Sequence, residues 1–167
     1  GEYLNIVNLF DIKLKRNPVI VEVGSLDAKD AILVCQKYRD ALVYAFEANP
    51  KQIDIMRSNI NNSGLAIRIE NSAVSCKSGS IDFYHAGENN PGASSMYKFS
   101  KHPEALAHTL AHEENLMSVN SVRLDDWMDE ESLSSIDILL IDTQGSELDV
   151  IKSLGDKLKN VKNIILE

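Results

Sequence analysis

Acidic and amide side chains occur at four places in this sequence, each at the end of an apolar run or directly after it. A carboxylate accepts hydrogen bonds from hydroxyl and ammonium groups, and an amide can pair with the edge of a base. A pyrophosphate, in contrast, is bound by glycine-rich backbone amides with few carboxylates nearby. The pattern therefore predicts a nucleotide-like ligand with hydroxyls, an amino group and a base, but without phosphates. The four places are residues 22–27, 47, 71–73 and 142–147.

The apolar runs alternate with helical patterns, and this alternation determines the expected fold. Strands are predicted at 19–23, 41–47, 67–74, 81–85, 136–142 and 163–167. Helices are predicted at 2–15, 28–38, after Pro50, at 103–117 and at 146–154. Alternating strands and helices form a parallel sheet with helices on its faces. Ligands of such a sheet bind beyond the carboxyl ends of its strands, where the four polar places would meet.

The composition limits the function classes. The chain has 167 residues, 44% of them hydrophobic and 25% charged, which predicts one domain at 1–167 with a helix at 2–15 and a core at 19–167. The net charge of −8 argues against nucleic-acid binding. No apolar run approaches the ~20 residues that span a membrane. Cys35 and Cys76 lack the CxxC spacing of a zinc site, so we expect no metal, no disulfide and a cytoplasmic location.

Three residues have positions expected of ligand-binding groups, and each has a structural alternative. Gly24 would allow a sharp turn and close approach to a ligand, or it simply ends a strand. Glu47 stands where an acid binds both hydroxyls of a ribose, or it is a solvated acid at a strand end. Asp142 leaves a buried strand at the rim of the site, or it caps the helix that begins near Ser146.

The ordered segments VEVGS, FEANP, NSAVSCKSGSIDF, VRLDDW and IDTQGSELDVIKSL resemble those of the FkbM family of S-adenosylmethionine-dependent methyltransferases. The resemblance extends from Val19 to Glu167, and IDxxGxE after a leucine-rich strand is its most specific element. It implies an α/β fold, the Rossmann-like methyltransferase three-layer sandwich with a mostly parallel sheet, whose C-terminal strands are missing. It also implies S-adenosyl-L-methionine (SAM) as cofactor and O-methylation of a hydroxyl on a sugar or other small metabolite.

The resemblance assigns roles to individual residues. It places residues 22–27 at the methionine half of SAM, Glu47 at the ribose and residues 71–73 near the adenine. For the proton of the acceptor hydroxyl, Asp142 is the first candidate base, with His85 and His102 as alternatives. The cofactor-binding set is Glu22, Gly24, Ser25, Leu26, Asp27, Glu47, Ala48, Asn71, Ser72, Ala73, Asp142 and Gln144.

Three positions depart from the family pattern. Ala28 stands where a glycine is usual, Leu140 where a lysine is common and Gln144 where a glutamate is common. These departures leave open a second interpretation, a degenerate domain that binds the cofactor or serves as a scaffold without turnover.

Other patterns favour different chemistry less strongly. Tyr97 and Lys101 satisfy the YxxxK spacing of NAD(P)-dependent short-chain dehydrogenases, but the cofactor turn lacks the glycines that those enzymes need. His108 and His112 lie one helical turn apart like metal ligands, although a solvated polar face is the simpler interpretation.

Two segments carry expectations about motion and association. Residues 87–101 are rich in glycine, serine and asparagine, which predicts a lid over the acceptor with Ser94 and Ser95 at the site. The apolar strand at 164–166 predicts either self-association or a further C-terminal segment that covers it.

Overall fold

The computed structural model describes residues 12–85, 91–97 and 115–167. The strands within these ranges are β1 (Val19–Val23), β2 (Leu42–Phe46), β3 (Ile67–Glu70), β4 (Ala73–Val74), β5 (Gly79–His85), β6 (Asn115–Val122), β7 (Ile138–Ile141) and β8 (Ile164–Leu166). The α-helices are α1 (Lys29–Lys37), α2 (Ile53–Ser63), α3 (Leu124–Glu130) and α4 (Glu147–Lys152). Short 3₁₀ helices occupy Pro50–Gln52, Pro91–Ala93 and Gly155–Asn160.

Five strands form the central sheet, in the order β3-β2-β1-β7-β8, and every neighbouring pair is parallel. Successive side chains of a strand point to opposite faces, so each apolar run supplies two cores. Ile20 and Leu140 pack on one face with α1 and α2, whereas Val21 and Leu139 pack on the other with α3 and α4. The predicted three-layer α/β sandwich is therefore confirmed.

Helix α3 packs through an aromatic cluster that the sequence patterns did not indicate. The Trp127 ring lies 4.7 Å from the Tyr44 ring and 5.0 Å from the Phe46 ring, both edge to face. Such pairs add to the free energy gained by apolar burial. This contact fixes α3 against β2, and it joins the helix to a strand that leads into the candidate site.

A second sheet has the order β4-β6-β5, with β4 parallel and β5 antiparallel to β6. The predicted single strand at 67–74 is wrong, because the chain leaves the main sheet after Glu70 and enters this second sheet at Ala73. The polar pair between them makes the turn: the Ser72 N–H donates to the Glu70 carbonyl at 3.0 Å, and the Asn71 amide donates to the Glu47 carbonyl at 2.9 Å.

Two predicted helices fall largely outside the described residues. Of the helix at 2–15, residues 12–15 are described and are not helical. Ile12 and Leu14 alternate with exposed lysines, as in an extended chain. The predicted helix at 103–117 is wrong at its C-terminal end, because residues 115–117 begin β6 and pair with β5. None of the described helices is long and apolar enough to cross a bilayer.

Candidate active site

A pocket opens beyond the carboxyl ends of β1, β2 and β7, where a parallel sheet of this kind binds its ligands. Its empty volume, including open solvent at the mouth, is about 610 Å³. Its walls come from the central sheet, from the second sheet and from residues 91–97. The sequence-predicted residues that line it are Gly24, Leu26, Glu47, Ala48, Ser72, Ala73, Asp142 and Gln144.

The turn after β1 contains three residues with positive φ. Gly24 has a φ of 88°, and a Cβ built there would lie 1.7 Å from the backbone oxygen of Asp142. Glycine is therefore needed for the close approach of two loops, not merely to end a strand. Leu26 and Ala28 have φ values of 53° and 64°, a region that L-residues rarely adopt. Glycine would adopt the conformation of Ala28 with less strain.

Glu47 is a buried wall of the pocket, with only 7% of its surface exposed. One carboxylate oxygen accepts the Leu26 N–H at 2.8 Å, and the other accepts the Asn49 N–H at 2.7 Å. Burial raises the pKa of Glu47 to about 7, although these backbone hydrogen bonds lower it. Glu47 is thus not a solvated acid, since it joins the β1 turn to the loop after β2. The carboxylate has about four acceptor positions, so it could accept a ligand hydroxyl beside these backbone hydrogen bonds.

The other acidic residues predicted in the β1 turn do not line the pocket. Glu22 is 2% exposed and accepts a hydrogen bond from the Ser25 hydroxyl. Burial raises the pKa of Glu22 to about 8, against the opposing effect of that hydrogen bond. Asp27 forms an ion pair with Lys29 at 2.5 Å. These three predicted residues, Glu22, Ser25 and Asp27, hold the turn behind the pocket rather than forming its wall.

On the side where the adenine is predicted, Ser72 and Ala73 line the pocket and Asn71 does not. The Asn71 side chain instead donates to the Glu47 carbonyl at 2.9 Å, so it ties the turn before β4 to the end of β2. Ala48 also lines this side.

The loop after β7 carries the candidate base. The half-buried Asp142 carboxylate accepts a hydrogen bond from the Gln144 amide at 2.6 Å. Burial raises the pKa of Asp142; the Gln144 hydrogen bond opposes this effect, and the nearby negative charges of Glu147 and Asp30 add to it. Asp142 faces the pocket, and the structure gives it no capping bond to α4.

Glu147, at the start of α4, has the opposite pKa shift. Burial raises its pKa, but hydrogen bonds from Gly145 at 2.9 Å and from Thr143 at 3.2 Å together bring it below the ordinary value. Glu147 therefore stays charged and holds the loop that presents Asp142.

The histidine alternatives have different outcomes. His85 is 2% exposed, does not line the pocket, and has its Nδ1 within 3.2 Å of the Asn49 amide nitrogen. Its position does not favour contact with an acceptor. His102 lies outside the described residues, as do Lys101, His108 and His112.

A family model described as the methyltransferase FkbM domain matches residues 22–167, almost the whole chain. This chain belongs to the FkbM methyltransferase domain family. This chain is 30% identical to the 2-O-methyltransferase NoeI of Sinorhizobium fredii. The match covers 97% of this chain and 66% of NoeI. It is also 24% identical to the hexuronic acid methyltransferase AglP of Haloferax volcanii. That match covers 98% of this chain and 61% of AglP. The chain thus spans less than two thirds of the length of these relatives.

A solved structure supports the fold of the FkbM domain. The crystal structure of methyltransferase FkbM from Methylobacillus flagellatus superposes with a TM-score of 0.60 at 10% identity, over 93% of this chain and 34% of that one. At this identity the likeness concerns the fold alone.

Several wall residues of the FkbM domain were missed by the sequence patterns. Phe46, Val74, Phe83 and Met96 are apolar, and they come from strands or segments that meet only in the folded chain. Of the two serines predicted at the site, Ser94 lines the pocket, whereas Ser95 is buried and donates to the Gln144 carbonyl at 3.0 Å. The alternation of apolar residues in β5 was the available signal for Phe83.

Proposed function

We propose that this FkbM domain is a SAM-dependent methyltransferase that methylates a hydroxyl of a sugar or other small metabolite. The observation that carries the proposal is the buried Glu47 carboxylate at the end of β2, in the wall of the pocket beside the glycine turn of β1. An acid at this place in a doubly wound fold accepts hydrogen bonds from the two hydroxyls of a ribose.

The residues present fit the chemistry of SAM. Glu47 and Asp142 would accept hydrogen bonds from hydroxyl and ammonium groups, and apolar side chains such as Phe83 and Met96 would face the purine. The same carboxylates would repel a pyrophosphate. When bound, SAM supplies an electrophilic methyl group on a sulfonium centre.

The acceptor is proposed from the relatives and from Asp142. One relative is named as a 2-O-methyltransferase and another as a hexuronic acid methyltransferase, which supports a sugar hydroxyl as acceptor here. Asp142 would accept the hydroxyl proton, because a carboxylate with a raised pKa is a stronger base than an ordinary aspartate.

A dehydrogenase function has less support. Tyr97, the tyrosine of the YxxxK pattern, does not line the pocket, and its hydroxyl donates to Asp149. Its hydroxyl is therefore directed toward α4 rather than toward a hydride acceptor.

Calorimetric titration with SAM tests the proposal through Glu47. Glu47→Ala should weaken SAM binding by about tenfold or more, since bonds to a charged group are worth roughly 1.5–3 kcal/mol each. Glu47→Gln keeps one acceptor oxygen and should weaken binding less. Both variants should also melt at lower temperature, because alanine removes the acceptor of both the Leu26 and Asn49 N–H groups and glutamine keeps an acceptor for only one of them.

Glu70→Ala is the matched control, because Glu70 is an acid at the end of the adjacent strand β3 and does not line the pocket. It should leave SAM affinity unchanged. Affinity at the wild-type level in folded Glu47→Ala, or no SAM binding by the wild-type protein, would overturn the proposal. SAM binding without methyl transfer to any of a panel of hydroxylated sugars would instead support the degenerate domain.

A further inference from the structure

A buried series of polar contacts joins two walls of the pocket. The Nδ2 atom of Asn49 lies 3.2 Å from Nδ1 of His85, and the same ring nitrogen lies 3.3 Å from Oγ of Ser94. Asn49 and His85 are 1% and 2% exposed. At one end of the series, the Asn49 N–H donates to the Glu47 carboxylate; at the other, Ser94 lines the pocket. His85 thus links the two walls from behind.

The hydrogen-bond pattern determines the chemical form of the ring. The Lys51 N–H can only donate, and it lies 3.1 Å from Oδ1 of Asn49. The Nδ2 group of Asn49 therefore faces His85 and donates, so Nδ1 of His85 must accept. A neutral imidazole with its proton on Nε2 meets this requirement, whereas an imidazolium has no acceptor.

The wall formed by residues 91–97 is held near His85 by backbone hydrogen bonds to β5 as well as by the Ser94 side chain. Tyr84, the residue before His85 in β5, exchanges two backbone hydrogen bonds with Ser95, at 2.8 Å and 3.1 Å. The Ser94 hydroxyl donates to the Pro91 carbonyl at 2.7 Å, so the proton that it offers to Nδ1 of His85 is shared with that carbonyl. Residues 91–97 are therefore held to the end of β5, where the ring of His85 meets the Glu47 loop.

We propose that His85 is a positioning residue that fixes the wall formed by residues 91–97 at the correct distance from Glu47. Both walls then contact the same cofactor, Glu47 from the β2 side and Ser94 from the β5 side. This role does not require the ring to reach the acceptor, and it differs from the general-base role for which His85 was an alternative to Asp142. It rests on the proposed function, since it concerns how this pocket binds SAM.

Steady-state kinetics and SAM titration of His85 variants test the inference. His85→Leu should raise both the KM and the Kd for SAM by about tenfold, while kcat and the KM of the acceptor change by less than about threefold. His85→Asn places a carbonyl oxygen near the position of Nδ1, so it should recover most of the SAM affinity. His85→Gln extends beyond that position and should not.

Two further variants complete the design. Ser94→Ala removes the hydroxyl that contacts His85 without creating a large cavity. It should raise the KM for SAM, as His85→Leu does. Ser80→Ala is the control, because Ser80 lies at the other end of β5 and its hydroxyl contacts only the exposed Ser118 hydroxyl in the hydrogen bonds described, at 2.5 Å. It should match the wild-type protein in every parameter.

The outcomes separate this inference from the proposed function. Unchanged SAM affinity in His85→Leu, or equal losses in the leucine and asparagine variants, would overturn the positioning role. A fall in kcat with unchanged SAM KM would also overturn it and would restore His85 as a base. If His85→Leu does not fold, the asparagine and Ser94→Ala variants decide. If the wild-type protein binds no SAM, the proposed function and this inference fall together.

Discussion

Glu22, Glu47 and Asp142 are carboxylic acids whose pKa values are raised by burial, whereas backbone hydrogen bonds keep the pKa of Glu147 low. At the scale of single residues, burial thus favours the neutral form of Glu22 and Glu47 more than that of an exposed acid. The lowered pKa of Glu147 favours its charged form, which holds the loop after β7. The groups with raised pKa values remain able to take up or release a proton.

Asp142→Asn tests the base. The variant keeps an acceptor oxygen for the Gln144 amide but cannot take a proton, so methyl transfer should fall by about a hundredfold or more. SAM affinity should fall much less than turnover, because asparagine still accepts hydrogen bonds through its carbonyl oxygen. The wild-type rate should rise with pH as Asp142 deprotonates, over a range above that of an ordinary aspartate. Transfer of a labelled methyl group measures both effects, with the exposed Asp156→Asn as control. Wild-type turnover in Asp142→Asn would exclude Asp142 as the base.

Glu22→Gln tests the buried acid beneath the turn. The pKa of Glu22 is about 8 in the folded protein, above its unfolded value of 4.5. Its contribution to stability is therefore fully present below about pH 4.5 and is lost as the pH rises through about 8. Glutamine does not titrate, so the variant should become more stable than the wild-type protein at alkaline pH, by on the order of a few kcal/mol at pH 9. Urea denaturation between pH 5 and 9 measures the difference, and a difference independent of pH would contradict the shift.

At the scale of elements, the most accurate predictions from the sequence were the strands that a local hydrophobic pattern identifies. The strands β1, β2, β7 and β8 are continuous apolar runs, and each was predicted to within two residues. The second sheet was harder to predict, because β4 has two residues and finds its partner β6 more than forty residues away. For the same reason, the strand-end residues of the candidate site could be predicted, but not their mutual hydrogen bonds. Glu47 joins Leu26 to Asn49 only in the folded chain.

Gly24→Ala tests the packing of the β1 turn against the loop after β7. The added Cβ would lie 1.7 Å from the Asp142 oxygen, so the two loops must separate and stability should fall by about 3 kcal/mol or more. Gly64→Ala and Gly79→Ala are matched controls, because both glycines have positive φ and a Cβ there meets no atom within 4 Å. They should lose only about 1–2 kcal/mol from the strained backbone. Urea denaturation measures the loss of stability in each variant. Equal losses at all three sites would show that the close approach of Gly24 to the Asp142 backbone does not contribute to stability.

At the scale of the whole molecule, β8 lies at one end of the central sheet, and no described strand pairs with its outer side. Ile164 and Leu166 project to the same face and are 36% and 49% exposed, whereas Ile165 between them packs in the core. An apolar strand with free backbone groups can pair with another chain. We therefore expect the protein to associate with a second copy of itself through β8.

Light scattering over a range of protein concentrations tests this association. The particle mass of the wild-type protein should rise above 18.6 kDa with concentration. Replacing Ile164 and Leu166 together by lysine should keep the mass at the monomer value, because a charged edge repels a second copy of itself and loses its apolar contact. Ile55→Lys, at a 46% exposed isoleucine on α2, should associate like the wild-type protein. A wild-type protein that stays monomeric at every concentration would contradict association through β8. Association of the double lysine variant would instead place the contact on another surface.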